Sequence, residues 1–162
     1  MADQFLNELA AADSPLLATD LVPVVRGTGN LKRSTIGAII ALLLDTVNIY
    51  TKAQRGTVLP IAYSATITLN LQNANSFSIG VLTGNLTLAN PTNLPAAGQS
   101  QSGSIFFRQD GTGNRVITFG NNFKWAGGVV GILSTAANAR DRLDYVVDHE
   151  GLIHASLAKA IA

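Results

Sequence analysis

The stretch IFFRQDGTGNRVITF, residues 105–119, decides how this chain is read. Ile105, Phe106 and Phe107 on one side, and Val116, Ile117 and Phe119 on the other, are β-formers separated by Asp110-Gly111-Thr112-Gly113. Two apolar runs joined by a short glycine-bearing turn predict an antiparallel hairpin. The pattern continues upstream. Thr66-Ile67-Thr68-Leu69-Asn70-Leu71 alternates with period two, Ser76–Ile79 runs into Val81–Leu82 with Gly80 marking a bulge, and Leu86–Leu88 follows the turn at Thr83-Gly84-Asn85. A long loop from Asn90 to Ser102 carries Pro91 and Pro95. Downstream, Phe123-Lys124-Trp125 precedes Gly127-Gly128, and Arg142–Asp148 and Leu152–Lys159 flank a turn at residues 148–151. Strands spaced by about 8–12 residues with turn chemistry between them predict a mainly β fold, a jelly-roll-like β-sandwich. No internal repeat and no low-complexity tract is visible.

The first third of the chain reads differently. Phe5, Leu6 and Leu9 fall at helical spacing within Met1–Ala12, with Asp3 in the first turn, and a helix that short needs a surface to dock on. Leu21–Arg26 reads as a strand that Pro23 confines to an edge, Gly27–Asn30 as a turn, and Leu31-Lys32-Arg33 as the returning arm. Ser34 or Thr35 then caps a helix over Ile36–Asp45, apolar nearly all round and so buried on more than one side. A polar connector spans residues 47–60. The expected organisation is an N-terminal attachment arm, residues 1–50, with a short hairpin and a short helix, and a β-sandwich body, residues 51–162.

Composition removes several classes. The 162 residues hold 11 basic and 10 acidic side chains, 13% in all, with a net charge of +1, which offers no field for a phosphate backbone; no nucleic-acid partner is expected. The longest apolar run, Ile36–Leu44, is interrupted by Gly37 and far short of the roughly 20 residues of a membrane span, so no membrane partner is expected either. Met1–Phe5 has neither a basic stretch nor an apolar core, and no secretory signal is expected. Cysteine is absent, removing disulfides and thiolate chemistry. With 47% hydrophobic residues and so few charges, much of the surface should be hidden against copies of the chain or a partner.

No catalytic constellation emerges. Asp110, Asp141, Asp144, Asp148 and Glu150 read as turn residues and solvated ion partners, and no pair of them is marked as the converging carboxylates of a glycosidase. His149 and His154 lie around one hairpin with no Gly-x-Ser-x-Gly nearby. Gly111-Thr112-Gly113 joins two strands and opens no helix, so it has no aligned amides for phosphate. The expectation is a protein that is not an enzyme, with no cofactor and no metal. Phe77, Phe106, Phe119 and Trp125 read as core. The functional alternative is Trp125 as a sugar-stacking ring, with Gly127 and Gly128 leaving one face open.

Taken together, Thr51–Trp125, Gly131–Val147 and the closing GLIHASLAKAIA resemble a β-domain of tailed-bacteriophage virion proteins. The most specific pieces are residues 51–56 (TKAQRG), 86–92 (LTLANPT), 109–113 (QDGTG) and 133–138 (LSTAAN). Residues 20–39 are similar to a short module that precedes such domains in phage fibre and head proteins. The resemblance implies a structural virion protein, a homotrimer with an attachment end and an outward jelly-roll-like domain, and it transfers no catalytic residue. The chain lacks coiled-coil heptads and an extended shaft. The expectation is therefore a capsid decoration (cement) or head-fibre protein on the capsid surface, held by the major capsid protein or another virion protein. Phe5, Leu6 and Leu9 would anchor it, with Leu21, Val22, Val24 and Val25 adding a strand to a neighbour. The alternative is a tail-fibre, receptor-binding module that recognises a host surface glycan through Trp125.

Overall fold

The computed structural model describes residues 21–26, 30–35 and 53–161, the first two stretches by their backbone pairing. Contacts divide the chain into two compact units, Met1–Gln54 and Arg55–Ala162. In the first, β1 (Leu21–Arg26) and β2 (Asn30–Thr35) form the expected antiparallel hairpin, with Pro23 opposite Arg33 and Val24 opposite Lys32. A two-stranded ribbon has only edge strands, which is where a proline without a donor is tolerated. The helices expected at residues 1–12 and 36–45 lie outside the described residues.

The second unit runs β3 (Val58–Ile61), β4 (Thr66–Ile67), β5 (Ser76–Ile79), β6 (Leu86–Leu88), β7 (Gln101–Arg108), β8 (Ile117–Phe119), β9 (Phe123–Trp125), a 3-10 turn (Ala126–Gly128), β10 (Arg140–Val147) and β11 (Ile153–Ala158). Two sheets result, ordered β3-β5-β7-β10-β11-β9 and β4-β6-β8. The chain passes three times between them, and each pass leaves one strand in either sheet, parallel to the strand of the pass before. The β10–β11 hairpin then closes the large sheet against β7 by antiparallel pairing, and β9 adds to β11 in parallel.

The fold is thus mainly β, two sheets around one apolar core, as the sequence predicts. Its connectivity is not that of a jelly roll, which is built from antiparallel strands; here five of the seven pairings among the described residues of this unit are parallel. The hairpin expected around residues 110–113 does not form. β7 pairs with β5 and β10, while β8 crosses to the small sheet and pairs with β6. The same turn residues reverse a strand or turn a corner, and what lies across them decides which. The passes also differ in length. Val58 pairs with Ser76, 18 residues on, and Ser76 with Ser104, 28 residues on, so no sequence period survives.

Alternation places the core. Leu59, Phe77, Ile105, Leu143 and Leu157 are neighbours in register across five strands, and Phe77, Ile105 and Leu143 are fully buried. Burying side chains of this size contributes roughly 1.5–3 kcal/mol each. Ile67, Leu69 and Leu71 point inward as expected, although the ladder is confined to Thr66–Ile67 and an Asn70–Thr92 bridge. Outward, Thr66, Thr87 and Thr118 align across the small sheet and are all exposed. Phe106 is the exception to the aromatic core: with Ile105 and Phe107 facing in, it must face out, and it is 38% exposed.

Tyr145 sits directly opposite Gly103, and its hydroxyl donates to the Asn75 carbonyl at 2.8 Å. Burial pushes its phenol pKa up to about 12, so it remains a donor. A Cβ at position 103 would collide with that same carbonyl oxygen. Gly103→Ala should therefore cost about 3 kcal/mol, lowering the melting temperature by roughly 10 °C or more. Gly56→Ala, whose Cβ would meet open space, should shift it hardly at all in the same thermal melt.

Candidate functional site

Two of the segments that carry the phage resemblance, 109–113 and 133–138, meet in space, and their chemistry is structural. Gln109 ends the inward face of β7 and is 1% exposed. Its Nε2 donates to the carbonyls of Arg115 and Ser134, both at 2.9 Å, and its Oε1 accepts the Arg115 amide at 2.9 Å. The side-chain amide thus supplies the reciprocal bonds that a facing strand would have made, which is how the chain leaves β7 without a hairpin. Asp110 folds the loop on itself, accepting from the amides of Thr112 (3.0 Å) and Gly113 (2.8 Å) and from Arg115 Nη2 (2.6 Å). The Arg115 hydrogen bond does most to hold its carboxyl below the ordinary 3.8; desolvation opposes it, and the Gly113 and Thr112 amides add smaller support.

Residues 133–138 interlock with this loop. Asn114 donates to the Thr135 carbonyl and Asn138 to the Asp110 carbonyl, both at 2.8 Å. Gly113 has φ of 74°, and a Cβ there would strike the Thr135 oxygen. Beneath lies Asp141, 2% exposed, which accepts from the Ser134 amide (2.7 Å), the Ser134 hydroxyl (2.7 Å) and the Ala160 amide (2.8 Å). Asp141 is therefore not the solvated ion partner its arginine neighbours suggest. It shares the inward parity of Leu143, Tyr145 and Val147 on β10. Residues 86–92 serve a similar purpose: Asn90 accepts the Asn122 amide at 2.9 Å and donates to Asn121 Oδ1 at 2.6 Å.

The candidate binding surface is the outer face of the large sheet, where β9, β11, β10 and β7 lie side by side. Register aligns Lys124, His154, Val146 and Ser102 in one row, and Ser156, Asp144 and Ser104 in the next. These residues line an open concavity of about 740 Å³. Ser104 donates to Asp144 Oδ1 at 2.6 Å, and Arg142 pairs with Asp144 Oδ2 at 2.9 Å. His154 Nε2 lies 2.8 Å from Asp148 Oδ2, the hydrogen bond that does most to hold the Asp148 carboxyl below 3.8. Lys124 Nζ donates to the Asn121 carbonyl at 2.8 Å. A second concavity, about 940 Å³, adjoins at Ser102 and is walled by Gln72, Asn75, Asn93 and Gln99. Hydroxyls, amides and a few charges around small apolar patches suit a neutral or weakly charged polyhydroxyl ligand.

Trp125 also lines the first concavity. Its ring is half-buried, packed edge-on against Phe119 with centroids 4.9 Å apart and backed by Gly131, whose missing Cβ leaves room for Cζ3 and Cη2. Leu21, Val22, Val24 and Val25 lie on β1 opposite Thr35, Ser34, Lys32 and Leu31. Phe5, Leu6 and Leu9 lie outside the described residues. Among the described residues no three His, Asp or Glu side chains converge as metal ligands would. Lys124 and His154 went unmarked in the sequence as partners, because only the parallel β9–β11 pairing makes them neighbours.

Residues 58–141 match the family described as "Putative phage tail fibre C-terminal domain", 84 of the 162 residues, and the chain belongs to that family. It is a phage structural protein. The match opens at the first residue of β3 and closes on Asp141, spanning all three passes and the interlocked loops. No curated protein and no solved structure matches the chain.

Two outcomes test this reading of the buried groups. Asp141→Asn turns one acceptor toward donors and should cost about 3 kcal/mol in urea unfolding, whereas Asp144→Asn on the exposed face should stay within about 1 kcal/mol. Asp110 and Asp148 both have depressed folded pKa values, so the stability they contribute is complete above 3.8 and is lost as pH falls through the folded values. Melting temperature should thus drop on acidification below pH 3.8, and less steeply in Asp110→Asn.

Proposed function

We propose that this protein is a homotrimeric tail-fibre component that attaches to the virion through its N-terminal unit and offers the outer face of its large sheet to a saccharide of the host surface. The observation that carries the reading is the match of residues 58–141 to a tail-fibre domain. That match favours the tail over the capsid-decoration or head-fibre role that the sequence reading put first.

The surface chemistry supports the second half of the reading. Lys124, Asp144, His154 and Ser156 ring the exposed Val146, giving hydrogen-bonding groups around an apolar patch of the kind that meets a sugar's mixed faces. Trp125, packed on Phe119 and Gly131, stiffens β9 and so sets the position of Lys124. Phe5, Leu6 and Leu9, with the β1 residues Leu21, Val22, Val24 and Val25, are the proposed virion anchors, and the partner they grip is a tail protein in this reading.

Gold-labelled antibody against the chain should decorate the tail of intact particles, and many labels spread over the head would return the protein to the capsid. Purified protein should compete with phage adsorption to host cells. Ser156→Trp, which fills the first concavity from an exposed position, should weaken that competition at least tenfold, and unchanged competition would reject this face as the binding surface. Removing residues 1–20 should leave a folded protein missing from particles.

A further inference from the structure

A segment outside both concavities carries an interaction of its own. Between β9 and β10 the chain places Val129, Val130 and Ile132 at 75%, 52% and 67% exposure, the most exposed cluster of large apolar side chains among the described residues. Its base is pinned on both sides. Gly131 lies flat on the Trp125 ring, Leu133 is buried, and Ser134 is tied to Asp141 through its amide and its hydroxyl. Nothing stands within 4 Å of the Cβ positions of Gly127 and Gly128, so the turn leaves open space beside these two residues. An apolar loop with free ends would fold back onto the core; this one is held outward.

We propose that residues 129–132 are the surface through which copies of this chain associate, like residues meeting like around a symmetry axis. This rests on the oligomeric reading above and names the contact that makes it. Charge favours a sister copy as the occupant. An axis brings identical side chains face to face, where any charge repels its own image, and no charged residue occurs from Ala126 to Ala139. Area agrees. The three residues expose on the order of 300 Å², within the roughly 300–600 Å² of the largest apolar patch on a typical protein, which is often functional. The exposed backbone and small side chains of that uncharged run extend it toward the roughly 800 Å² per partner of a stable interface.

The full chain is the test material. By light scattering at tens of micromolar, the wild type should run as a closed oligomer, and Val129→Ser/Val130→Ser/Ile132→Ser should run as a monomer with an unchanged circular dichroism spectrum. Because the chain has no cysteine, Val130→Cys reports only on its own surroundings; mild oxidation should link copies in pairs, while Thr87→Cys, exposed on the small sheet, should not link. A monomeric wild type overturns the proposal, as does a triple variant that stays assembled. Should the triple variant lose its fold, the absence of Val130→Cys linkage overturns it instead. An assembled triple variant on a protein whose antibody still labels the tail would sink this surface and leave the tail-fibre reading standing.

Discussion

The buried carboxylate of Asp141 and the buried amide of Gln109 are the constraint on which the body depends. A charge or amide taken out of water without partners costs several kcal/mol. Here each is satisfied only when distant segments arrive together: the loop at 110–115, Ser134 at the start of the interlocking loop, and for Asp141 the Ala160 amide near the chain's end. Apolar columns such as Leu59–Phe77–Ile105–Leu143 supply most of the driving force, but such a column tolerates a partner slipped by two residues, which keeps every side chain on its face. Hydrogen bonds do not. The clasp therefore fixes register where apolar burial alone would leave it loose, and it explains why Gly113, Asn114 and Asn138, all at positive φ, stand where they do.

Much of the fold was legible because alternation is local. The inward parity of residues 67–71, 76–79 and 86–88 needs only the neighbouring residues, and the β10–β11 hairpin follows from its turn. Direction was not legible. Whether β7 pairs antiparallel with β8 or parallel with β5 depends on groups that no local window contains, chiefly Ser134 waiting for the Gln109 amide. Asp141 was misplaced because its charge was weighed above its parity, and Phe106 because aromatic character was weighed above the same parity. The candidate binding face was legible least: Lys124 and His154 are thirty positions apart and become neighbours only through a parallel pairing.

Charge is segregated along the body. From Gly56 to Phe107 there is no acidic or basic residue, whereas Arg108, Asp110, Arg115, Lys124 and the charges of β10 and β11 all belong to the last pass and the closing strands. The first two passes therefore meet water through uncharged side chains alone. Every ion pair found among the described residues, and the Lys124–His154–Asp144 face with them, sits in the later part of the unit. Long-range attraction or repulsion toward a partner thus originates from one portion of the body, and the rest acts at contact distance.

The unequal passes have a further consequence. Moving from one ladder to the next takes 18 residues in one case and 28 in the other, yet the rows of inward side chains stay aligned. Added residues are absorbed where the chain rounds a corner, and the strands on either side do not notice. Corners of this kind can lengthen, shorten or be exchanged wholesale without renegotiating the interior, so diversity at the rim and constancy of the frame become compatible in one chain.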